Sequence, residues 1–315
     1  MSYDDFATHD WGDYIGQPEM RRTLSLHMEA AEKNRRRMPH LLLAAEPGYG
    51  KSALANVIAT ESCMEFAPFV PPVKPAQLIQ LLTSWWGGVL FLDEIHRASQ
   101  REQESYLPLL QEGYYITPAG DRVDCGTVQV IAATTEPDKV IPPLYDRFEL
   151  RPTFEPYTED DLRDIVRTMG AKVSIEFSDE TATRLGRATG GTPRMARSLV
   201  LAARTLADTD RDVTVEEILR LASVDADGLT RQHVTYLEAL HALGSKAGMD
   251  KLQAMLNLPR STLLSVERLL VERNLIGYAG GGRELRSAGY ARLRQAQPQA
   301  HQAGSQPAAR RPVRI

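Results

Sequence analysis

The sequence predicts an α/β core built on a parallel sheet, followed by an all-helical domain and then a winged-helix domain. Three observations predict this order. First, three short apolar runs, 40–45 (HLLLAA), 89–92 (VLFL) and 127–133 (TVQVIAA), are separated by stretches with helical spacing. Apolar runs with little polar alternation suit strands buried on both faces, as in a parallel sheet covered by helices. Second, beyond Arg151 the strand signal fades and apolar residues recur at helical intervals. Third, beyond Gly228 three helical patterns lead into two short strands joined by Gly280-Gly281-Gly282.

In chain order, residues 18–38 read as a helix, 40–45 as the first strand and 51–61 as a helix opening after a glycine-containing loop. Strands follow at 89–92 and 127–133. In the second region Leu162, Ile165, Val166 and Met169 share one helical face, as do Ala182, Leu185 and Ala188, and then Met195, Leu199, Ala202 and Leu206. In the third, Val234, Leu237 and Leu240 mark one helix, Leu252 and Met255 a short second, and Leu263, Val266, Leu269 and Leu270 a third, before a hairpin over 275–286. The last twenty residues, AQPQAHQAGSQPAARRPVRI, have almost no large apolar side chains to offset the entropy of ordering. The expected parts are a core at 1–150, a helical lid at 151–226, a winged helix at 227–295 and a disordered basic tail at 296–315, with no internal repeat.

Composition narrows the functional classes. Two cysteines, Cys63 and Cys125, supply neither a disulfide framework nor a four-cysteine zinc site, which suits a reducing compartment. The N-terminus lacks a basic segment followed by an apolar run, so no signal peptide is expected. The most apolar stretch, 76–92, is interrupted by Gln, Thr, Ser and two glycines and runs into Asp93 and Glu94, so it is not a membrane span. A cytoplasmic location is expected. From Arg283 onward there are seven arginines and one acid, Glu284, in a chain whose net charge is −4. An acidic body with a basic end points to a polyanion contact, or to a solvated tail.

The loop after the first strand, Ala45-Glu46-Pro47-Gly48-Tyr49-Gly50-Lys51-Ser52, fits G-x-x-x-x-G-K-[ST] except at its first position. Pro47, Gly48, Tyr49 and Gly50 would turn backbone N–H groups toward phosphates at a helix N-terminus. Lys51 would reach the β and γ phosphates of a nucleotide, and the Ser52 hydroxyl would bind Mg²⁺. The second strand runs straight into Asp93 and Glu94, at the sheet edge where α/β ligands bind. Asp93 would hold the Mg²⁺ water shell and Glu94 would polarise the attacking water. Thr134 and Thr135 end the third strand, where a hydroxyl would contact the γ phosphate or the water. Arg147, in Pro143-Leu144-Tyr145-Asp146-Arg147-Phe148, is a candidate arginine finger for a neighbouring subunit, or a surface partner of Asp146. Arg194, at the start of the lid's third helix, would fold back onto the phosphates. His96 reads as a structural residue at a helix start, and Trp85 and Trp86 as packing under the sheet.

This order of motifs resembles the AAA+ ATPases and, more narrowly, the RuvB family of Holliday-junction branch-migration motors. The resemblance rests on Asp13-Tyr14-Ile15-Gly16-Gln17, the phosphate loop, Leu90-Phe91-Leu92-Asp93-Glu94-Ile95-His96-Arg97, Ala133-Thr134-Thr135, Leu144-Tyr145-Asp146-Arg147-Phe148 and Gly191-Thr192-Pro193-Arg194. It implies a hexameric ATPase that binds ATP and Mg²⁺ and pulls branched or duplex DNA, with no membrane. It assigns Tyr14 and Ile15 to the adenine pocket, Thr135 to sensor 1, Arg147 to the finger and Arg194 to sensor 2. It assigns DNA contact to Arg283 in the wing, joined by Arg286. There are departures. Ala45 and Glu46 replace the usual Gly-Pro, and an alanine disfavours positive φ and adds a methyl near the phosphates, which implies weaker nucleotide binding. Tyr145 stands where the family often has arginine. Residues 113–127 are shorter than the hairpin region that docks a RuvA-type partner, which leaves that partner open. Two other readings share these motifs: a clamp-loader-like ATPase that assembles proteins on DNA, and a regulator that senses ATP without hydrolysing it.

Overall fold

The computed structural model describes residues 6–85, 87–117, 120–209 and 213–302. In the core, α1 (Pro18–Lys33) precedes β1 (Leu41–Ala44), α2 (Lys51–Glu61), β2 (Phe66–Phe69), α3 (Pro75–Ser84) and β3 (Gly87–Leu92). After α4 (Gln100–Ser105) and α5 (Leu107–Glu112) come the hairpin of β4 (Tyr114–Ile116) and β5 (Arg122–Asp124), then β6 (Thr127–Thr134) and α6 (Pro142–Tyr145). The main sheet has the order β1-β6-β3-β2 with every pairing parallel. Leu150 and Thr153 extend it beyond β1 by bridging to Leu41 and Ala44.

Alternate residues of each central strand enter opposite cores, which is why these strands read as continuous apolar runs. Leu41, Leu43, Val89, Phe91, Ile131 and Ala133 pack with Leu54 and Ile58 of α2 on one face. Leu42, Leu90, Leu92, Val130 and Ala132 pack with Leu78, Leu109 and Phe148 on the other. Trp85 packs partly buried against this second core, as expected, and Trp86 lies outside the described residues. The first helix is shorter than the sequence pattern suggested. It stops at Lys33, capped by Asn34, and Arg35 then takes a left-handed φ of 50°.

The lid comprises α7 (Glu159–Lys172), α8 (Asp179–Arg187) and α9 (Pro193–Asp208), each started by a side-chain cap from Thr158, Ser178 or Thr192. Leu162, Ile165, Val166, Ala182, Leu185, Leu199 and Leu206 are buried on the expected faces. Core and lid form one compact unit, which ends at Ile218 within α10 (Val215–Leu221). The second compact unit takes in residues from Leu219 onward, ahead of the expected start of the winged helix at 227. Val224 pairs with Thr230, and Asp225 binds Arg292, so the residues before 227 are tied to the winged helix.

That unit contains α11 (Arg231–Ala242), β7 (Lys246–Ala247), α12 (Met249–Leu256), α13 (Arg260–Glu272), β8 (Ile276–Ala279), β9 (Gly282–Leu285) and α14 (Ser287–Gln302). Its sheet is antiparallel, β7-β9-β8. Met255 is 49% exposed and does not join this core. The buried stripe of α12 runs through Met249 and Leu252 to Leu256, which leaves Met255 on the outer side. The tail expected from 296 begins as helix: α14 continues to Gln302. Residues 303–315 lie outside the described residues.

A candidate phosphoryl-transfer site

The loop between β1 and α2 runs from the C-terminal edge of the sheet to a helix N-terminus. Gly48 and Gly50 take φ of 89° and 85°, a region side chains rarely adopt. Gly50 caps α2, whose first amides have no partner within the helix. Ala45 is not among the positive-φ residues; its N–H donates to Thr134 O at 3.2 Å and prolongs the β1–β6 ladder. Alanine is therefore unstrained there, and the backbone reason for weaker nucleotide binding falls away.

Lys51 is buried, and its Nζ donates to Ala45 O (2.7 Å) and Glu46 O (3.1 Å). Burial lowers its pKa, against the pull of Glu94 and Asp93, and Arg194 pushes in the same direction as burial. The Asp93 carboxyl is raised by burial and by Glu94, with Lys51 opposing. Ser52 Oγ donates to Asp93 Oδ2 at 3.4 Å. A hydroxyl beside a carboxylate is an all-oxygen donor set, and such sets suit Mg²⁺, which keeps several waters and takes few protein ligands. Glu94 departs from the strand at a left-handed φ of 54°. Its Oε2 accepts from Thr135 Oγ1 at 3.0 Å, so the expected γ-phosphate sensor is bonded to the expected water-polarising acid.

The lid closes over this edge. A Cβ placed on Gly48 would stand 2.9 Å from the Cβ of Arg194, so the second residue of α9 lies directly on the phosphate loop. Tyr14 and Ile15 line a pocket between core and lid with Phe6, Gly50, Tyr157 and Met169. The Gln17 amide exchanges two hydrogen bonds with the backbone of Glu155 (2.7 and 2.8 Å) and fastens the entry to the lid. Tyr157 Oη donates to Tyr49 O at 3.0 Å, and Lys172 Nζ donates to Asp13 Oδ2 at 2.7 Å. Sequence reasoning missed Tyr157 and Lys172. Neither sits in a motif, and their partners lie more than 100 residues away.

Arg147 follows α6 and is half-buried. With the Gln111 amide turned so that its oxygen faces the guanidinium, Arg147 Nε and Nη2 donate to it at 2.8 and 2.9 Å, so its partner is on α5 and not Asp146. In the second unit, Arg283, to which the resemblance assigns DNA contact, is turned inward onto a buried carboxylate. Its Nε and Nη2 bind Glu267 Oε1 (2.9 Å) and Oε2 (3.1 Å), and its side chain is 12% exposed. Tyr236 Oη (2.6 Å) and Tyr278 Oη (3.1 Å) donate to the same buried carboxylate. An unpaired buried carboxylate is costly, so it recruits the nearest guanidinium inward. Arg286 lies across Gly277 and remains exposed.

A phosphate loop, paired acids at the next strand end, a strand-end threonine and a lid arginine on one parallel sheet define a P-loop ATPase of the AAA+ class. The same chain carries a winged helix. Residues 7–153 match the model of the Holliday junction DNA helicase RuvB P-loop domain, and residues 226–294 match the RuvB C-terminal winged helix domain. The chain is 30% identical over 299 residues to the Holliday junction branch migration complex subunit RuvB of Kosmotoga olearia, covering 89% of this chain and 87% of that one. It is 29% identical to the subunit of the same name in Staphylococcus haemolyticus, over 88% and 89% of the two chains. Its fold is similar to the Thermotoga maritima RuvB Holliday junction branch migration motor, with a TM-score of 0.79 and 26% identity, covering 92% of this chain and 98% of that one. The chain belongs to the RuvB family.

Proposed function

We propose that this ATPase is a motor that spends ATP hydrolysis on branch migration of Holliday junctions, as the names of its relatives describe. One observation carries the reading: Lys51, Ser52, Asp93, Glu94, Thr135 and Arg194 meet at one sheet edge, in a chain that also holds a winged helix. Lys51 exchanges the carbonyls of Ala45 and Glu46 for β and γ phosphate oxygens, while the amides of the phosphate loop cradle the anion. Ser52 and Asp93 hold Mg²⁺, which when bound neutralises charge on the phosphates. Glu94 polarises the attacking water, and Thr135 turns from Glu94 to the γ phosphate. Arg194 brings the lid onto the nucleotide, and Tyr14 and Ile15 receive the base. Arg147 acts in a hexamer, on the nucleotide of the neighbouring subunit. The wing touches the DNA backbone through the exposed Arg286, and phosphate contacts of this kind position without reading sequence.

The roles separate by experiment. Lys51→Ala removes the cation that neutralises the phosphates and abolishes most ATP binding. Glu94→Gln keeps binding and stops turnover. Equal loss of binding in both variants, by equilibrium titration, contradicts the assignment.

A further inference from the structure

Beside the phosphoryl-transfer site stands a histidine to which the mechanism above gives no task. His96 follows β3 in a short turn, and its side chain is only 12% exposed. Its Nδ1 lies 3.0 Å from Thr134 Oγ1 and 3.1 Å from Glu94 Oε2. The other ring nitrogen, Nε2, is 3.8 Å from Glu136 Oε1, beyond hydrogen-bond length. A bare Nδ1 would set its lone pair against the carboxylate oxygen, so the ring carries its proton at Nδ1, between the threonine and the glutamate. Thr134 is itself fully buried, and its hydroxyl accepts from Glu136 N at 3.0 Å, so this side of the ring is anchored.

Glu94 Oε2 thus faces two donors, Thr135 Oγ1 and His96 Nδ1. They differ in one respect. A threonine hydroxyl has a single proton to donate. When Thr135 gives that proton to a γ-phosphate oxygen, it no longer holds Glu94. The single Nδ1 proton of His96 is shared between Thr134 Oγ1 and Glu94 Oε2, but neither it nor the ring is drawn to the nucleotide, because the ring is fixed by Thr134 and its turn.

We infer that His96 is a positioning residue for Glu94: its Nδ1–H keeps Oε2 in place when Thr135 turns to the nucleotide, leaving the other carboxylate oxygen to polarise water. This rests on the reading of Glu94 as the water-polarising group. Holding the carboxylate matters because a displacement of about 1 Å at a reacting group costs on the order of 100-fold in rate.

The experiment uses the full-length protein and steady-state ATPase kinetics, with nucleotide binding measured separately. Three variants place different donors. In His96→Asn the amide nitrogen takes the position of Nδ1; in His96→Gln it takes that of Nε2; His96→Ala offers no donor. We expect His96→Ala and His96→Gln to lose about 10- to 100-fold in kcat, the equivalent of one hydrogen bond to a charged group. KM and nucleotide affinity stay within about twofold, since a group that acts only on the water leaves ground-state binding alone. His96→Asn recovers most of the rate. In a Glu94→Gln background His96→Ala makes no further difference.

Wild-type kcat in His96→Ala overturns the inference. So does equal loss in Asn and Ala variants, which marks a structural tie to Thr134 only, and so does better recovery by Gln than by Asn. The control isolates the premise. If Glu94→Gln itself turns over normally, the reading of Glu94 fails; if Glu94→Gln is inactive and His96→Ala is not, only the role of His96 fails.

Discussion

The pair Arg283–Glu267 makes the sharpest claim about the winged helix, because the family resemblance gives Arg283 a different task. Glu267 is 1% exposed and receives both guanidinium donors of Arg283 and the hydroxyls of Tyr236 and Tyr278. One carboxylate thereby joins α11, α13, β8 and β9. Arg283→Ala removes the one cation bound to this carboxylate among the described residues and leaves the carboxylate buried. Breaking a buried pair costs about 3–5 kcal/mol, and the partial exposure of Arg283 places this case near the lower end, about 3 kcal/mol. At about 1.4 kcal/mol per decade, amides protected by the β8–β9 ladder should exchange with solvent roughly 100-fold faster. Native-state hydrogen exchange on the full chain reads this directly, through amides such as Arg286 N, which donates to Leu275 O at 3.0 Å and continues the β8–β9 pairing. Replacing both partners, Arg283→Met with Glu267→Met, should recover most of the protection, since no charge is then stranded. The reasoning is refuted if Arg283→Ala exchanges like the parent and only DNA affinity falls. Arg283 would then be a surface contact, as the resemblance has it.

Two further outcomes follow from the core. His40 is buried, its Nδ1 accepts from Val130 N (2.9 Å) and its Nε2 faces Leu110 O (3.1 Å); burial, reinforced by Arg37, pushes its pKa down to about 3. Its folded pKa lies below the unfolded value of about 6.5, so the unfolded chain takes up the extra proton and stability falls as pH drops from there toward 3, by up to about 1.4 kcal/mol per pH unit. His40→Gln should lack this component between pH 7 and 5 in urea titrations, and identical slopes would refute it. Arg147→Ala should bind ATP and hydrolyse it roughly 10³- to 10⁵-fold more slowly if it acts as a finger. Mixed with Glu94→Gln it should regain activity, because some interfaces then pair a sound site with a sound finger; mixed rings with no gain would show that Arg147 does not act in trans.

What was legible in the sequence depended on how local each signal is. The strands β1, β3 and β6 were readable because both faces are covered, which leaves nothing polar to interrupt them. Strand β2 was not, since it lies at the sheet edge and reads Phe66-Ala67-Pro68-Phe69, with a proline that only an edge strand accepts. The phosphate loop and the paired acids were readable because a few consecutive residues define them. The bond from Thr135 to Glu94 and the placement of His96 depend on the register of β3 against β6, which no local pattern encodes. The pairing of Arg283 with Glu267 was not legible because the partner lies on α13, in another element. Met255 was misread because one helical interval in a short helix does not fix which stripe faces inward.

The central claim is that nucleotide hydrolysis in this chain moves a DNA branch point. The direct measurement follows a synthetic four-way junction, with donor and acceptor dyes on two arms, in the presence of the protein and Mg-ATP. A motor shifts the branch point steadily with continued turnover, and Glu94→Gln, which still binds ATP, leaves it where it was. Sustained ATP hydrolysis with no movement of the junction, or movement that Glu94→Gln supports equally well, would contradict the account.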